Sequence, residues 1–382
     1  MKRKHFGIVL LVIILILAFI PIVKFAFFKK EKVVSPEVLP ETEELHEARF
    51  YEKLSGGRIQ CQLCPNKCLL SPGQRGLCKV RENQDGKLYS LVYGKPITIH
   101  VDDPIEKKPF YHFLPGTRAY SLATVGCNLT CKYCQNYAIS QQFPEDVRPM
   151  EKSPEEVVQE ALNAGAESIA FTYNEPTVWY EYMYDIAKLA KEKGLRTVMI
   201  TAGYISPEPF KELLEVLDGV RIDLKGFNEE YYHEIVGGKL EPVLESLKVA
   251  HQSGTWLEII NLVVPGQNDS EEEIRAMCQW IKDNLGEDVP LHFLRFHPDY
   301  KMKNLPPTPI ETIKKAREIA QEVGLNYVYA GNVPEYTEGN TTFCPDSGEP
   351  LIVRKGFFVT ENKVDENGQG LNCPSKISGV WQ

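Results

Sequence analysis

The chain has 382 residues, of which 43% are hydrophobic and 25% are charged, with 10 cysteines and a formal net charge of −9. This length predicts one large domain and a smaller one, and the composition excludes a disordered, collagen-like or small disulfide-stapled protein. The acidic balance also argues against a nucleic-acid binder that is held by contacts to phosphates.

The first thirty residues are far more apolar than the rest of the chain. Residues 6–23 (FGIVLLVIILILAFIPIV) carry no charge, and basic residues flank them on both sides. A run of about 18 apolar residues can span a bilayer, and this one continues into bulky residues, which favours an uncleaved anchor over a signal peptide. We therefore expect a transmembrane anchor over residues 1–30 and a polar linker over residues 31–47. The flanking charges leave the orientation open.

Residues 48–118 form a Cys-rich segment. Cys61, Cys64, Cys68 and Cys78 follow the pattern C-x2-C-x3-C-x9-C in a stretch rich in Gly and Pro. Four thiolates can close a tetrahedral metal site. Structural zinc and an iron–sulfur cluster both fit four cysteines. The pattern therefore predicts a metal-binding module and leaves the metal open.

Seven β-rich runs alternate with helical patterns between residues 119 and 331. The runs are AYSLATVG, SIAFTYNE, LRTVMITAG, VRIDLKG, WLEIINLVVP, LHFLRFHP and LNYVYAGN. Ser153, Ser270 and Pro309 indicate helix starts, and glycines such as Gly194 indicate helix ends. This alternation predicts an α/β fold with a parallel sheet, crossover helices and functional residues at the carboxyl ends of the strands.

Three further cysteines directly follow the first of these runs. Cys127, Cys131 and Cys134 stand in GCNLTCKYCQN with the spacing C-x3-C-x2-C. A structural zinc site needs four protein ligands, and this loop offers no fourth Cys or His. Three local thiolates instead suit a [4Fe–4S] cluster in which one iron is not bound by protein. Such an iron has an open position for a substrate or cofactor.

This loop resembles the cluster motif of the radical SAM superfamily, with Tyr133 at its aromatic position. The segments GQRGLCKVREN, DPIEKKPFYHFLPG, TVGCNLTCKYCQN, TYNEPT and DLKGF also resemble, in order and spacing, radical SAM enzymes of the AmmeMemoRadiSam group, which are related to pyruvate formate-lyase activating enzymes. The resemblance covers roughly residues 58–381. It implies a partial (β/α)6 barrel over residues 119–331. The small N-terminal Cys-rich module and the N-terminal transmembrane helix that the sequence pattern predicts precede this barrel.

The resemblance also implies a cofactor and a reaction. A [4Fe–4S] cluster would bind S-adenosylmethionine (SAM) at its open iron, and reductive cleavage of SAM would give a 5′-deoxyadenosyl radical that abstracts hydrogen. Cys127, Cys131 and Cys134 would be the catalytic cluster ligands. The residues implied to contact or position SAM are Tyr133, Asn174, Glu175, Thr201, Asp223, Lys225 and His297.

Some of these assignments have a structural alternative. Glu175 matches an acid that contacts the SAM ammonium group in the family, although the two glycines of that motif are replaced here; otherwise it is an exposed turn residue. Asp223 and Lys225 resemble a site for the SAM carboxylate and ribose, or they form a salt-bridged strand end. His297 is similar to a SAM-contacting His, or it is structural. Ala202 stands where relatives usually carry Asn, so no side-chain contact is expected there.

The last three cysteines have other expected roles. Cys344 and Cys373 each begin half of a C-P-x-C knuckle like that of relatives, but each half has lost its second Cys. No metal is therefore expected in the C-terminal extension, residues 332–382. Cys278 lies within a helical pattern and is expected to be a small core residue.

Together these features predict a radical SAM oxidoreductase-type enzyme that abstracts hydrogen from an unidentified substrate. The alternatives are a glycyl-radical enzyme activase of the pyruvate formate-lyase activating type and a non-catalytic metal-binding scaffold. Expected partners are an electron donor such as ferredoxin or flavodoxin, and Memo-type and AMMECR-type proteins, but no nucleic acid. Because clusters and SAM belong to the cytosol, we expect a single-pass membrane protein whose catalytic domain faces the cytoplasm.

Overall fold

The computed structural model describes residues 45–333 and 336–382, and its residues from 45 onward form one compact unit. Within these described residues, no helix has both the length and the hydrophobicity needed to cross a membrane. The transmembrane anchor expected over residues 1–30 lies outside the described residues, and so does the expected linker up to residue 44.

Short antiparallel strands build the Cys-rich module. Between residues 45 and 104 the strands are β1 (His46–Glu47), β2 (Tyr51–Lys53), β3 (Ile59–Cys61), β4 (Leu69–Leu70), β5 (Arg81–Gln84), β6 (Lys87–Ser90) and β7 (Thr98–Pro104). They form the sheets β1-β6-β5 and β2-β3-β4, while β7 joins the edge of the main sheet. Because β1 contains residues assigned to the linker, the module begins before the predicted boundary at residue 48.

The main sheet contains, between residues 118 and 331, one parallel strand for each of the seven predicted runs. They are β8 (Arg118–Ala123), β9 (Ser168–Phe171), β10 (Arg196–Thr201), β11 (Gly219–Asp223), β12 (Trp256–Val263), β13 (Leu291–Arg295) and β14 (Val328–Gly331). They lie side by side in chain order, with β7 antiparallel to β8. Most of their residues are buried, as expected for parallel strands covered on both faces. The predicted parallel α/β fold is confirmed.

Six longer helices connect these strands between residues 154 and 323, which gives a (β/α)6 arrangement followed by a seventh strand. The α-helices are α1 (Tyr137–Ser140), α2 (Pro154–Asn163), α3 (Tyr180–Glu192), α4 (Pro207–Leu214), α5 (Glu229–Tyr231), α6 (Glu241–Ser253), α7 (Glu271–Leu285) and α8 (Ile310–Val323). Ser153 caps α2 in a capping box with Glu156, and Ser270 caps α7, as predicted. Cys278 is fully buried on α7, which confirms its expected core position.

A loop after β7, residues 105–116, closes the amino-terminal end of the sheet; we call it the base loop. It starts there because the end of β7 pairs with the first residue of β8. Its Phe110 and Phe113 are fully buried against side chains of β8, β9 and β10. Glu258 of β12 accepts hydrogen bonds from the backbone N–H groups of Tyr111 (3.0 Å) and His112 (2.8 Å). The base loop is thus anchored by both apolar packing and buried hydrogen bonds.

The C-terminal extension adds a small antiparallel sheet. Its strands β15 (Thr342–Phe343), β16 (Pro350–Lys355) and β17 (Phe358–Asn362) pair in that order. Arg354 is fully buried and donates a hydrogen bond to the carbonyl of Tyr111 in the base loop (2.6 Å). A disulfide joins Cys344 to Cys373. The sequence pattern does not predict this bond, because it shows the two cysteines only as separate halves of a lost knuckle.

Candidate active site

A cavity of about 330 Å³ opens at the carboxyl ends of the parallel strands, and its size is typical of small-molecule sites. The predicted site residues that line it are Cys127, Cys131, Tyr133, Cys134, Asn174, Glu175, Thr201, Asp223 and Lys225. They follow or end β8, β9, β10 and β11. The structure therefore brings together predicted residues from neighbouring strand ends.

His297 is not among the residues that line this cavity. It lies beyond the end of β13 and directly follows Phe296, whose side chain is buried. Alternate side chains of an extended chain point to opposite sides, and the side chain of His297 is exposed. The structure leaves His297 apart from the other predicted SAM-contacting residues.

The three-cysteine loop is tightly fixed. Gly126, just before it, has a φ of +97°, and a Cβ atom there would lie 2.6 Å from the carbonyl oxygen of Cys78. Only glycine fits this combination of backbone angle and close approach. Further along, the N–H groups of Thr130 and Lys132 donate to the carbonyls of Val236 (3.0 Å) and Ile235 (2.9 Å). These contacts hold the loop in place before any cofactor binds.

The three thiols of this loop all line the cavity. Three thiolates from one loop can hold a [4Fe–4S] cluster and leave one of its irons without a protein ligand. Burial raises the pKa of the Cys131 thiol to about 11, so cluster binding at neutral pH must release its proton.

Glu175 is a buried acid in the cavity wall that could bind a cation. Only 4% of this residue is exposed, so the exposed-turn alternative is wrong. Its Oε1 accepts hydrogen bonds from the hydroxyls of Thr177 (2.7 Å) and Thr201 (2.6 Å), and its Oε2 accepts one from the backbone N–H of Ala202 (2.8 Å). Ala202 thus contributes its main chain, which explains why its side chain can differ from that of relatives. These neutral donors hold the carboxylate and leave its negative charge for a bound cation.

Asn174 has a positioning role next to Glu175. Its amide nitrogen donates to the carbonyl of Gly126 (3.0 Å) and to the hydroxyl of Thr124 (3.3 Å), and its carbonyl accepts a hydrogen bond from the indole of Trp179 (3.1 Å). Both N–H groups of the amide are thereby used. Asn174 ties the three-cysteine loop to the turn that carries Glu175.

Three charged residues share one face at the end of β11. Asp223 contacts Lys225 (Oδ2–Nζ 2.9 Å) and Arg221 (Oδ1 to a guanidinium nitrogen, 3.0 Å). Burial alone would raise the pKa of Asp223, but the two cations hold it below its usual value. Arg221 was not among the predicted site residues, although its place two positions before Asp223 in RIDLKG puts it on the same face of the strand.

Lys108 of the base loop also reaches the cavity and was not predicted from the sequence. It is 4% exposed and pairs with Asp103 of β7, which also contacts Lys107 and accepts a hydrogen bond from the hydroxyl of Tyr173. Burial, together with repulsion from Lys107 and Arg221, lowers the pKa of Lys108 to about 8 against the attraction of Asp103. The sequence does not show that Lys108 reaches the cavity, because the base loop and β11 are far apart in the chain and meet only after folding.

The other four cysteines converge on a second, smaller cavity. Cys61, Cys64, Cys68 and Cys78 line a space of about 20 Å³. Four thiols around one enclosed space can bind either a single zinc ion or an iron–sulfur cluster.

Two buried polar side chains line the same small cavity. Arg81 is 2% exposed, and its Nε has no hydrogen-bond partner among the described residues. Asn128 lies against Cys64 and is the residue next to Cys127 in the other loop. Arg81 thus places a buried positive charge in the wall of the four-cysteine cavity.

Comparisons with known proteins agree with this geometry. A family model described as the radical SAM superfamily matches residues 121–278. An uncharacterized protein of Methanocaldococcus jannaschii is 48% identical over 337 residues, which are 88% of this chain and 100% of that protein. The pyruvate formate-lyase 1-activating enzyme of Escherichia coli K12 is 27% identical over 225 residues, which are 55% of this chain and 91% of that enzyme.

A solved domain of a pyruvate-formate lyase-activating enzyme from Bacteroides vulgatus ATCC 8482 has a TM-score of 0.39 and 18% identity, covering 44% of this chain and 100% of that one. The family match begins in β8 and ends within α7, so it includes the three-cysteine loop and the ends of β8 to β12. Together with the relationship to activating enzymes, this match shows that the chain belongs to the radical SAM superfamily.

Proposed function

We propose that this chain binds a [4Fe–4S] cluster through Cys127, Cys131 and Cys134 and cleaves SAM reductively in order to abstract hydrogen from a substrate. The main support is that one loop delivers three thiols to a cavity that also contains the buried acid Glu175. Three thiolates leave one iron of such a cluster open. When bound, the reduced cluster supplies the electron that splits the SAM sulfonium.

The residues of the chain position SAM and exclude water. Glu175 offers a carboxylate, held by neutral donors, to the SAM ammonium group. Lys225, fixed by Asp223, offers a cation to the SAM carboxylate. Ile260 and Leu262 give the cavity apolar walls, which keep water away from the reacting atoms.

Anaerobic reconstitution tests this proposal. The purified chain is loaded with iron and sulfide, reduced with dithionite and incubated with SAM, and 5′-deoxyadenosine and methionine are measured. We expect both products to form. A chain that incorporates the cluster but forms no 5′-deoxyadenosine would instead be a non-catalytic metal-binding scaffold.

The Glu175→Gln variant should bind SAM at least about ten-fold more weakly, because it loses the charge opposite the ammonium group and turns an amide towards the N–H of Ala202. Equilibrium dialysis with labelled SAM on the reconstituted protein measures this. Glu167→Gln, at the opposite end of β9 and exposed, is the matched control and should bind as the wild type does. Equal affinity in all three proteins would remove Glu175 from the SAM site.

We also propose that Cys61, Cys64, Cys68 and Cys78 bind a second [4Fe–4S] cluster and not zinc. Four thiols that line one enclosed space, with the buried guanidinium of Arg81 in the same wall, support this. The unpaired Nε of Arg81 would donate to it. Asn128 follows Cys127 in the chain and contacts Cys64. Electrons would therefore have a short route between the two sites.

Metal analysis separates the alternatives. The reconstituted wild type should hold about eight irons per chain and the Cys64→Ser variant about four, with the remaining iron still able to bind SAM. If the wild type contained zinc, and if Cys64→Ser lost this zinc but kept the same iron content, the proposal of a second cluster would be overturned. Mössbauer spectra of both proteins check that the iron is present as clusters.

A glycyl-radical enzyme activase is the second candidate, and the relationship to the activating enzyme of E. coli favours it. Such an enzyme takes hydrogen from a backbone glycine of a partner protein. Incubation with reductant, SAM and a candidate partner should then give a stable glycyl signal in the EPR spectrum. Failure with every candidate partner while small molecules are turned over would count against this function.

Partners and location are further proposals. We propose ferredoxin or flavodoxin as electron donor, because the reduced cluster needs low-potential electrons, and Memo-type and AMMECR-type proteins of the AmmeMemoRadiSam group as associates. We propose that residues 1–30 anchor the protein in the membrane with the catalytic domain in the cytoplasm. A tag at residue 382 should then be inaccessible to labels in intact cells, and external labelling would contradict this orientation.

A further inference from the structure

Two buried cations face the large cavity without a clear task in SAM binding. Lys108, at 4% exposure, comes from the base loop, and Arg221, at 7% exposure, comes from β11. Both line the cavity that contains the three-cysteine loop. They are close enough for the charge of Arg221 to lower the pKa of Lys108. An anion that enters the cavity would be attracted by both of these buried charges.

Each of the two cations has an ion-pair partner but shares that carboxylate with a second cation, while Glu175 and Glu258 attract Arg221 without an ion-pair contact. Asp103 is shared between Lys107 and Lys108, and Asp223 is shared between Arg221 and Lys225. Two carboxylates thus serve four cations. The Nε of Arg221 is buried and has no hydrogen-bond partner among the described residues. The guanidinium of Arg221 is thus only partly satisfied by the side chains around it.

The cavity wall next to Arg221 is formed by apolar side chains. Ile260, Leu262 and Leu294 from β12 and β13 line the cavity next to β11. A ligand that fits must therefore combine an anionic group with an aliphatic part. A backbone glycine of a protein partner has no anionic group and would make no use of the two cations in the cavity wall.

We propose that Lys108 and Arg221 form an anion subsite that binds the carboxylate or phosphate of an aliphatic substrate, so that its C–H groups lie in the cavity where hydrogen is abstracted. The inference rests on the proposed radical SAM function, which it deepens by naming the substrate class. Guanidinium and ammonium groups both bind carboxylates and phosphates, and the planar fork of Arg221 fixes the orientation of either one. Burial makes these contacts stronger than they would be on the surface.

Direct titration tests the subsite without turnover. The reconstituted, unreduced holoenzyme with bound SAM is titrated calorimetrically with butyrate, with butyl phosphate and with the neutral analogue butyramide. We expect one of the two anions to bind at least about ten-fold more tightly than butyramide, which also identifies the anionic group. Binding of neither anion above the level of butyramide overturns the subsite.

Variants locate the binding. Lys108→Met and Arg221→Gln should each weaken anion binding at least ten-fold, and Arg221→Lys should restore part of it. The exposed residues of α7 and α8 provide matched controls, Arg275→Gln and Lys314→Met, which should bind the anion as the wild type does. Unchanged anion binding in both cavity variants overturns the proposal. A ten-fold loss of SAM affinity in Arg221→Gln would assign Arg221 to the SAM carboxylate and would overturn it as well.

The pH dependence gives a readout that a purely structural role would not move. Lys108 is faced by Asp103, Lys107, Tyr173 and Arg221, and its own charge is lost as the pH rises through about 8. Butyrate binding should therefore weaken between pH 7 and pH 9 in the wild type but not in Lys108→Met. Anion binding with no SAM cleavage would refute the proposed function alone, and SAM cleavage with no anion binding would refute the subsite alone.

Discussion

The Cys127→Ser variant should lose SAM cleavage to below about one-thousandth of the wild-type rate, because the hydroxyl is a poor iron ligand and the catalytic electron has no other source. Its iron content should fall by about four per chain, and the other four-cysteine site should keep its metal. Iron analysis and the 5′-deoxyadenosine assay on anaerobically reconstituted protein measure both effects.

Cys278→Ala is the matched control, since this cysteine is also buried but lies on α7, away from either cavity. It should keep the full iron content and the full rate of SAM cleavage, with a loss of only about 1 kcal/mol in the free energy of unfolding. If Cys127→Ser kept its iron and its activity, the three-cysteine loop would not be the cluster site.

The Glu181→Gln variant should lose about 3 kcal/mol or more in the free energy of unfolding. Glu181 of α3 binds Arg81 through both carboxylate oxygens (3.0 and 3.2 Å), and the two side chains are only 1% and 2% exposed. Removing the negative charge leaves the guanidinium buried without a counter-ion. The midpoint of guanidinium chloride unfolding of the metal-free protein, followed by circular dichroism, measures the loss.

Glu322→Gln is the control for this effect, because Glu322 pairs with Arg275 on the surface and both side chains are about half exposed. Exposed pairs contribute about 0.2–1 kcal/mol, so this variant should unfold close to the wild type. Similar midpoints for the two variants would show that the buried pair contributes no more than a surface pair. Since Arg81 lines the four-cysteine cavity, Glu181→Gln should also take up less metal there.

Much of the fold could be predicted from local sequence features. The seven strands could be predicted because each is a short apolar run between breakers, and the starts of α2 and α7 because Ser153 and Ser270 cap them through contacts within one turn. The three-cysteine loop and Glu175 follow strand ends directly, so parallel pairing alone brings them together.

Contacts between segments that are distant in the chain could not be predicted from local sequence features. Lys108 reaches the cavity only because the base loop folds under the sheet, and Cys344 meets Cys373 only because the C-terminal sheet places them side by side. His297 was predicted as a site residue because it follows the end of a strand. In the structure the preceding residue, Phe296, is the one whose side chain is buried. The start of the Cys-rich module at β1 also depends on pairing with β6, which the polar composition of residues 45–47 conceals.

The base loop connects the packing beneath the sheet to the wall of the cavity. Its Phe110 and Phe113 pack against β8, β9 and β10, and its Lys108 lines the cavity. A shift of the base loop would therefore move Lys108 relative to Glu175 and Lys225, which the strand ends carry. The packing of two phenylalanines thus sets the distance between SAM and an anion held by Lys108.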